Sequence, residues 1–355
     1  MGRAFTGLDR IGKIDEQDGM TKQRRIRQEP VSLATVAAQA GVSIATVSRI
    51  VNGEVRRASP ETVERVQKLV STLGYRPNHA GRTLRRRESR IVAMLSPNLD
   101  NPAMAAIAAS VETALRAAGY VMILCDTHDR ADLQDEYLNA MRSQVVQGYV
   151  VVNAVRSEGL SAAVTRGDPI VFVGRRNPDR GGSFVGIDNW RAGVDAADHL
   201  WSGGFREIAV IYPSQGSSAT RDRVGGFIAR LEELGLPPGS LRQAEAPGLS
   251  HLEVGYAAAK RLLEGQSWPP ALFCPSDLMA YGAYRLASEE HVQVPEECRI
   301  VGVDDNALNA WIAPWLTSVR IPYADFGARV VEQLQVLWAG EQGSEQLLPH
   351  ELIIR

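Results

Sequence analysis

From Ile91 to Arg355 short apolar runs alternate with amphipathic stretches, a pattern that few folds accept. The runs are Ile91–Leu95, Tyr120–Cys125, Gly148–Val152, Ile170–Val173, Phe184–Ile187, Ile208–Tyr212, Ala271–Cys274, Ile300–Val303 and Leu316–Arg320. Their length and β-branched content fit buried strands. Between most of them the apolar residues fall at helical spacing, as in Met104–Ala118, Leu133–Ser143, Ala192–Trp201, Arg221–Leu234, Glu253–Leu263 and Asp277–Ser288. Such alternation implies parallel, doubly wound sheets, and the length suits two lobes better than one.

A different pattern precedes this body. Ser32 can cap a helix over Leu33–Ala40, Gly41 can supply a left-handed turn, and Ser43 can cap a second helix over Ile44–Ile50. That short turn, Gly41-Val42-Ser43, has the helix-turn-helix spacing. A third helix starts at Ser59-Pro60-Glu61 and stops at Gly74. Val36, Ala37, Ala40, Val47, Ile50, Val63, Val66 and Val70 then share one small core.

Charge divides along the same line. The net charge is −2, yet residues 1–90 carry 18 Lys/Arg against 9 Asp/Glu and the rest carries 21 against 32. A basic head on an acidic body is expected when only one end meets nucleic acid. The chain is 45% apolar and 23% charged, without a membrane-length apolar run or a signal-peptide core, so a cytoplasmic, nucleoid-associated protein is expected. Cys125, Cys274 and Cys298 form no Cys-x-x-Cys pair and read as buried thiols in a reducing compartment. Residues 1–30 are polar and aperiodic and read as a disordered extension, with Met20 as an alternative start.

In a helix-turn-helix the N-terminal end of the second helix faces base edges in the major groove, which points to Ile44, Ala45 and Arg49. Arg49 can pair bidentately with guanine or rest on a phosphate, while Ile44 and Ala45 offer only methyl contacts. Thr46, Ser48 and Asn52 suit phosphate oxygens.

The residues Leu33, Val36-Ala37, Ala40-Gly41-Val42-Ser43, Ala45-Thr46-Val47-Ser48-Arg49, Asn52-Gly53, Ser59-Pro60-Glu61-Thr62 and Leu73-Gly74-Tyr75-Arg76-Pro77-Asn78 resemble the signature of the lactose-repressor (LacI) family. With the downstream region the likeness covers Val31–Arg355. It implies a helix-turn-helix domain at 31–77, a hinge helix or linker at 78–89, and a two-lobed effector-binding and dimerisation domain at 90–355. The lobes would resemble periplasmic sugar-binding proteins, with chain crossings near Phe184–Gly186, near Val319–Pro322, and before a final strand, Leu348–Ile354. Asn78-His79-Ala80-Gly81-Arg82-Thr83-Leu84 is similar to the family's hinge, which orders on operator DNA. There Asn78 and Arg82 join the DNA contacts and Leu84 aligns with the leucine that wedges into the minor groove. Gly81 departs from the alanine common there and should weaken an isolated hinge helix by about 1 kcal/mol.

The family's effector cleft lies between the lobes, where carboxyl ends of parallel strands face one another. The resemblance assigns effector contact to Arg223 and Asp304, with Asn101, Met104, Arg175, Trp190, Ser276-Asp277 and Tyr323 as further candidates. A salt bridge and a helix cap remain the alternatives for Arg223 and Asp304. Arg175-Arg176 with Arg223 would favour a sugar acid or phosphate over a neutral sugar, because guanidinium pairs well with such anions.

Neither a phosphate-binding Gly-x-x-x-x-Gly-Lys-Ser/Thr loop, a His-Glu-x-x-His pair nor a Gly-x-Ser-x-Gly elbow occurs. The expectation is a homodimeric transcriptional regulator, most simply a repressor. It would bind a near-palindromic duplex operator and a small carbohydrate-derived effector, without catalysis, cofactor, metal or membrane. An α/β enzyme and a sugar-binding solute receptor share the body fold. The head argues against both, and a receptor would also need an export signal.

Overall fold

Three serines start the three helices of the head. In a computed structural model describing residues 31–75, 89–179 and 181–355, Ser32 Oγ accepts from Thr35 N at the start of α1 (Leu33–Ala40). Ser43 Oγ accepts from Thr46 N at 3.1 Å before α2 (Ile44–Val51), and Ser59 Oγ from Thr62 N at 3.3 Å before α3 (Pro60–Thr72). Each bond satisfies one of the free N–H groups of a first helical turn. Gly41 closes α1 at φ 65, a left-handed conformation costly for a residue with a Cβ, and the chain turns through 107° into α2. Val36, Ala37, Ala40, Val47, Ile50 and Val66 are buried as expected, Val63 and Val70 pack at the edge, and Tyr75 joins them unforeseen.

The chain divides into two units, residues 1–82 and 83–355. In the second, the N-lobe contains β1 (Ile91–Ser96), α4 (Pro102–Ala117), β2 (Val121–Asp126), α5 (Ala131–Ser143), β3 (Gly148–Val152), α6 (Glu158–Thr165), β4 (Ile170–Val173) and β5 (Ser183–Gly186). The C-lobe follows with α7 (Asn189–Ser202), β6 (Ile208–Pro213), α8 (Ser218–Glu233), β7 (Arg242–Ala246), α9 (His251–Leu262), β8 (Ala271–Phe273), α10 (Asp277–Glu289), β9 (Arg299–Asp304), α11 (Asn309–Ile312) and β10 (Thr317–Arg320). The chain then returns to the N-lobe through α12 (Tyr323–Trp338) and β11 (Glu345–Leu347), and ends in the C-lobe with β12 (Glu351–Ile353).

The N-lobe sheet runs β11-β5-β4-β3-β1-β2, all parallel; the C-lobe sheet runs β12-β10-β9-β8-β6-β7, parallel except for β12. Strand order reverses between β1 and β3 in one lobe and between β6 and β8 in the other. At such a switch point the loops leaving the carboxyl ends part and open a crevice. Both crevices contribute to one cleft.

The first crossing follows β5, near Phe184–Gly186. The expected final strand Leu348–Ile354 is the shorter β12, paired with β10 in the C-lobe, and an unforeseen strand, β11, precedes it and pairs with β5 in the N-lobe, so the third crossing falls between β11 and β12. On the N-lobe, Ser110 Oγ donates to Ala324 O at 2.7 Å and accepts from Gly327 N at 2.9 Å, tying the returning α12 onto α4. Cys125, Cys274 and Cys298 are free and buried.

Candidate functional site

On α2, Val47 and Ile50 face the core, which turns the rest of the first helical turn outward. Ile44 is 52% exposed, an uncommon cost for an isoleucine unless a partner covers it. Ala45 and Asn52 are exposed beside it, and Thr46, Ser48 and Arg49 are half-buried. Arg49 Nε donates to Ala45 O at 3.2 Å, laying the side chain along the helix surface. The Thr46 hydroxyl lies 2.9 Å from Ser43 Oγ. The basic pair Arg56-Arg57, overlooked from sequence although it sits just before the α3 cap, is exposed on a 3-10 turn of the same head. Asn78, Arg82 and Leu84, with the expected hinge, lie outside the described residues.

The cleft brings seven of the nine expected effector residues together: Asn101, Met104 and Arg175 from N-lobe loops and α4, Arg223, Ser276 and Asp304 from the C-lobe, and Tyr323 at the second crossing. Arg223 is oriented by Asn189, which accepts from its Nε at 2.8 Å, and by the Pro275 carbonyl, 2.8 Å from its Nη1. The same Nη1 lies 3.8 Å from Asp304 Oδ1, and Tyr323 donates its hydroxyl proton to that oxygen at 2.7 Å. Burial raises the Asp304 carboxyl above its usual range, while Arg223 and the Tyr323 hydrogen bond hold it back. Asp304 has φ 119 and Asp305 φ 46, strained values for residues with a Cβ. Arg320 and Arg355 grip the Asp305 carboxylate at 2.7 and 2.8 Å and keep that turn in place.

Across the cleft, Arg175 Nη1 lies 3.1 Å from Asp129 and 3.3 Å from the Asn153 carbonyl oxygen. Its Nε is buried without a hydrogen-bond partner. Burial lowers the Arg175 pKa, and Asp129 opposes that shift. His251, whose Nδ1 lies 2.9 Å from Ser276 Oγ, is pushed down to about 4, first by burial and then by Arg223 and Arg175. It is a neutral imidazole among two guanidinium groups. Asn153, Asn189 and His251 line the cavity and were not foreseen.

Two candidates do not line it. Trp190 is 50% exposed; its ring rests where a Cβ on Gly225 of α8 would be only 2.9 Å away, so its role is helix packing. Asp277 is buried within the C-lobe. Its Oδ1 accepts from Ser318 Oγ at 2.6 Å, and its Oδ2 from Asn306 N at 2.9 Å and Asn309 Nδ2 at 2.8 Å. Burial and the neighbouring Asp304 carboxylate raise it to about 7 against those three donors. Asp277 therefore holds the loop after β9, while Ser276 beside it faces the cleft.

Of the three arginines behind the expected anion preference, Arg175 and Arg223 line the cleft and Arg176 does not. Arg176 points away, paired with Glu345 at 2.8 Å and stacked on Phe184, and both remaining arginines face carboxylates. Among the described residues no group of three or more His, Cys, Asp or Glu is placed to hold a metal ion, and no single helix is long and apolar enough to cross a membrane.

Residues 32–78 match the bacterial regulatory proteins, lacI family, and residues 197–355 match the periplasmic binding protein-like domain. The HTH-type transcriptional regulator PtxS of Pseudomonas putida is 30% identical over 343 residues, 95% of this chain and 98% of its own. A transcriptional regulator CelR–cellobiose complex is 28% identical with TM-score 0.68, covering 92% of this chain and 99% of that one. The lac repressor dimer bound to operator and the anti-inducer ONPF shares the fold, at TM-score 0.81 and 24% identity over 92% of this chain and 98% of its own. Head, body and relatives agree: the chain belongs to the LacI family and is a DNA-binding transcriptional regulator, not an enzyme.

Proposed function

We propose that the protein is a homodimeric repressor that acts in the cytoplasm and releases or grips a near-palindromic operator according to a carbohydrate-derived effector in the interlobe cleft. The observation that carries this is the Arg223–Asp304–Tyr323 cluster: polar groups from the C-lobe and from the start of α12 at the second crossing converge in a buried cleft that both lobes line. A ligand held there touches both lobes, so its binding energy depends on the angle between them. Ile44, Ala45 and Arg49 read bases, Thr46, Ser48 and Asn52 hold phosphates, and 78–89 forms a hinge in which Asn78 and Arg82 contact DNA and Leu84 enters the minor groove. Paired heads on a two-fold axis require a two-fold operator.

The linkage is reciprocal. Couplings of this kind are about 1–3 kcal/mol, so operator changes effector affinity by the same factor as effector changes operator affinity. The test is fluorescence anisotropy of the full chain on an inverted-repeat fragment selected from random duplex, repeated with a panel of sugars. A change in operator affinity with one sugar, with none on random DNA, is the expected result. Tight operator binding unmoved by any sugar would overturn the carbohydrate assignment.

A further inference from the structure

Beside the deep cleft lies a second space, at its mouth. It is bordered by Pro97, Asn98 and Asp100 after β1, by Asp129 after β2, and by Leu249 and Ser250 before α9. The two spaces share Asn101, Met104, Asn153, Arg175 and His251, so they are neighbouring compartments of one groove. Their sizes differ greatly. The deep cleft leaves about 70 Å³ and the mouth about 340 Å³. Pockets for small molecules typically span about 300–1,000 Å³, more than the deep cleft alone offers.

From this geometry we infer that the effector is a neutral disaccharide, with one ring in the deep cleft among Arg223, Asp304 and Asn189 and the second in the mouth. The inference rests on the carbohydrate reading above and narrows it. A sugar ring offers apolar C–H faces and hydroxyl edges, and the mouth supplies both kinds of partner. Pro97 and Leu249, the latter 70% exposed, can cover a face. Asp100 and Asn98 carry acceptors for hydroxyl donors.

Charge decides against an acid. Arg175 lies 3.1 Å from Asp129 and Arg223 lies 3.8 Å from Asp304, and Asp100 adds a carboxylate at the mouth. Among the described residues lining the two spaces, each arginine thus faces a carboxylate, and none is left over to offset the desolvation of a carboxylate or phosphate. A further space of about 460 Å³ also borders the cleft, near Ala106 and Arg320, and shares Asn101 and Leu278 with the mouth. The Tyr323–Asp304 hydrogen bond stands at its shared wall, and its guanidinium groups, Arg320 and Arg355, are already taken by Asp305.

Calorimetric titration of the full chain tests this with glucose, galactose and ribose, with cellobiose, maltose, lactose and sucrose, and with gluconate and galacturonate. At least one disaccharide should bind tenfold or more tighter (about 1.4 kcal/mol) than either of its component sugars. Leu249→Asp, or the milder Leu249→Ser, should weaken that disaccharide roughly fivefold to tenfold (about 1–1.4 kcal/mol), with the monosaccharide affinity and thermal midpoint unchanged. A monosaccharide that binds as tightly as any disaccharide overturns the inference, as does preference for an acid or equal loss of both ring sizes at Leu249. Loss at Ala106→Gln instead would put the second ring in the space near Ala106 and Arg320 and overturn it too. Failure of every sugar would sink the carbohydrate reading itself, and this inference with it.

Discussion

His251 makes the body acid-sensitive in a predictable window. It is the first residue of α9, half-buried, and faces Arg223 and Arg175, with Asp129 as the only opposing charge among the causes of its shift. Its pKa falls from 6.5 to about 4 in the fold. Between those values the unfolded chain takes up a proton that the folded chain refuses, so stability rises with pH across the window and is lost as pH falls toward 4. A shift of this size corresponds to about 3 kcal/mol, from about 1.4 kcal/mol per pH unit. Asp277 and Asp304 act in the opposite sense, because burial raises their pKa values and their ionisation costs stability as pH rises. The wild-type slope alone is therefore mixed. His251→Gln separates the two effects: it cannot gain the proton yet can still hydrogen-bond to Ser276. Guanidinium unfolding from about pH 4 to about pH 7, followed by tryptophan fluorescence, reads the body only, since all six tryptophans lie beyond residue 90. The wild-type-minus-variant stability should change by up to about 3 kcal/mol across the window, in favour of wild type at the upper end. A flat difference would show that His251 does not sit neutral between the two arginines.

Three further outcomes are expected. Arg49→Ala should cost about 1–3 kcal/mol on operator and flatten the preference at one base pair per half-site; equal weakening on random duplex in the same anisotropy assay would reduce Arg49 to a phosphate contact. Arg223→Ala and Asp304→Ala should each abolish the effector response while operator affinity is retained, because a ligand hydroxyl left without its buried partner loses about 1–3 kcal/mol. Calorimetry showing wild-type effector affinity in both would mean the cleft is misplaced. In Gly193→Ala a Cβ would sit 1.9 Å from the Arg223 carbonyl oxygen, forcing α7 and α8 apart; melting should show a loss of about 1–3 kcal/mol, the usual cost of overpacking, and an unchanged melt would refute the close crossing.

Much of the fold was legible because strands buried on both faces must be continuously apolar. Gly148–Val152 and Ile170–Val173 coincide with β3 and β4 residue for residue. The strand that escaped, Arg242–Ala246, is an edge strand whose first four residues alternate between half-buried and exposed before the buried Ala246, so its sequence, RQAEA, has no apolar run to betray it. Glu345–Leu347 and Glu351–Ile353 are three residues each, too short to carry a period, and nothing local says that they join different sheets. That division is a property of the chain path, settled by where α12 leaves the next residues.

For the site, the legible part followed a rule about places. Residues at or just beyond strand carboxyl ends, such as Asp304 and Arg175, which the resemblance had assigned, face the cleft because parallel sheets aim those ends there. What failed was direction within a loop and the identity of distant partners. Asp277 and Ser276 are adjacent, yet only the serine faces the cavity, because the Asp277 carboxylate turns inward to three donors and lies where Gly302 has no Cβ to obstruct it. Asn153 holds φ 51, and a Cβ on Gly174 would approach its side-chain oxygen to 2.6 Å, so its position depends on a glycine on another strand's loop. The apparent excess of positive charge was a miscount of the same kind. Asp129 lies 46 positions before Arg175 in the chain yet 3.1 Å from it in the fold, a pairing that no local pattern in either segment announces.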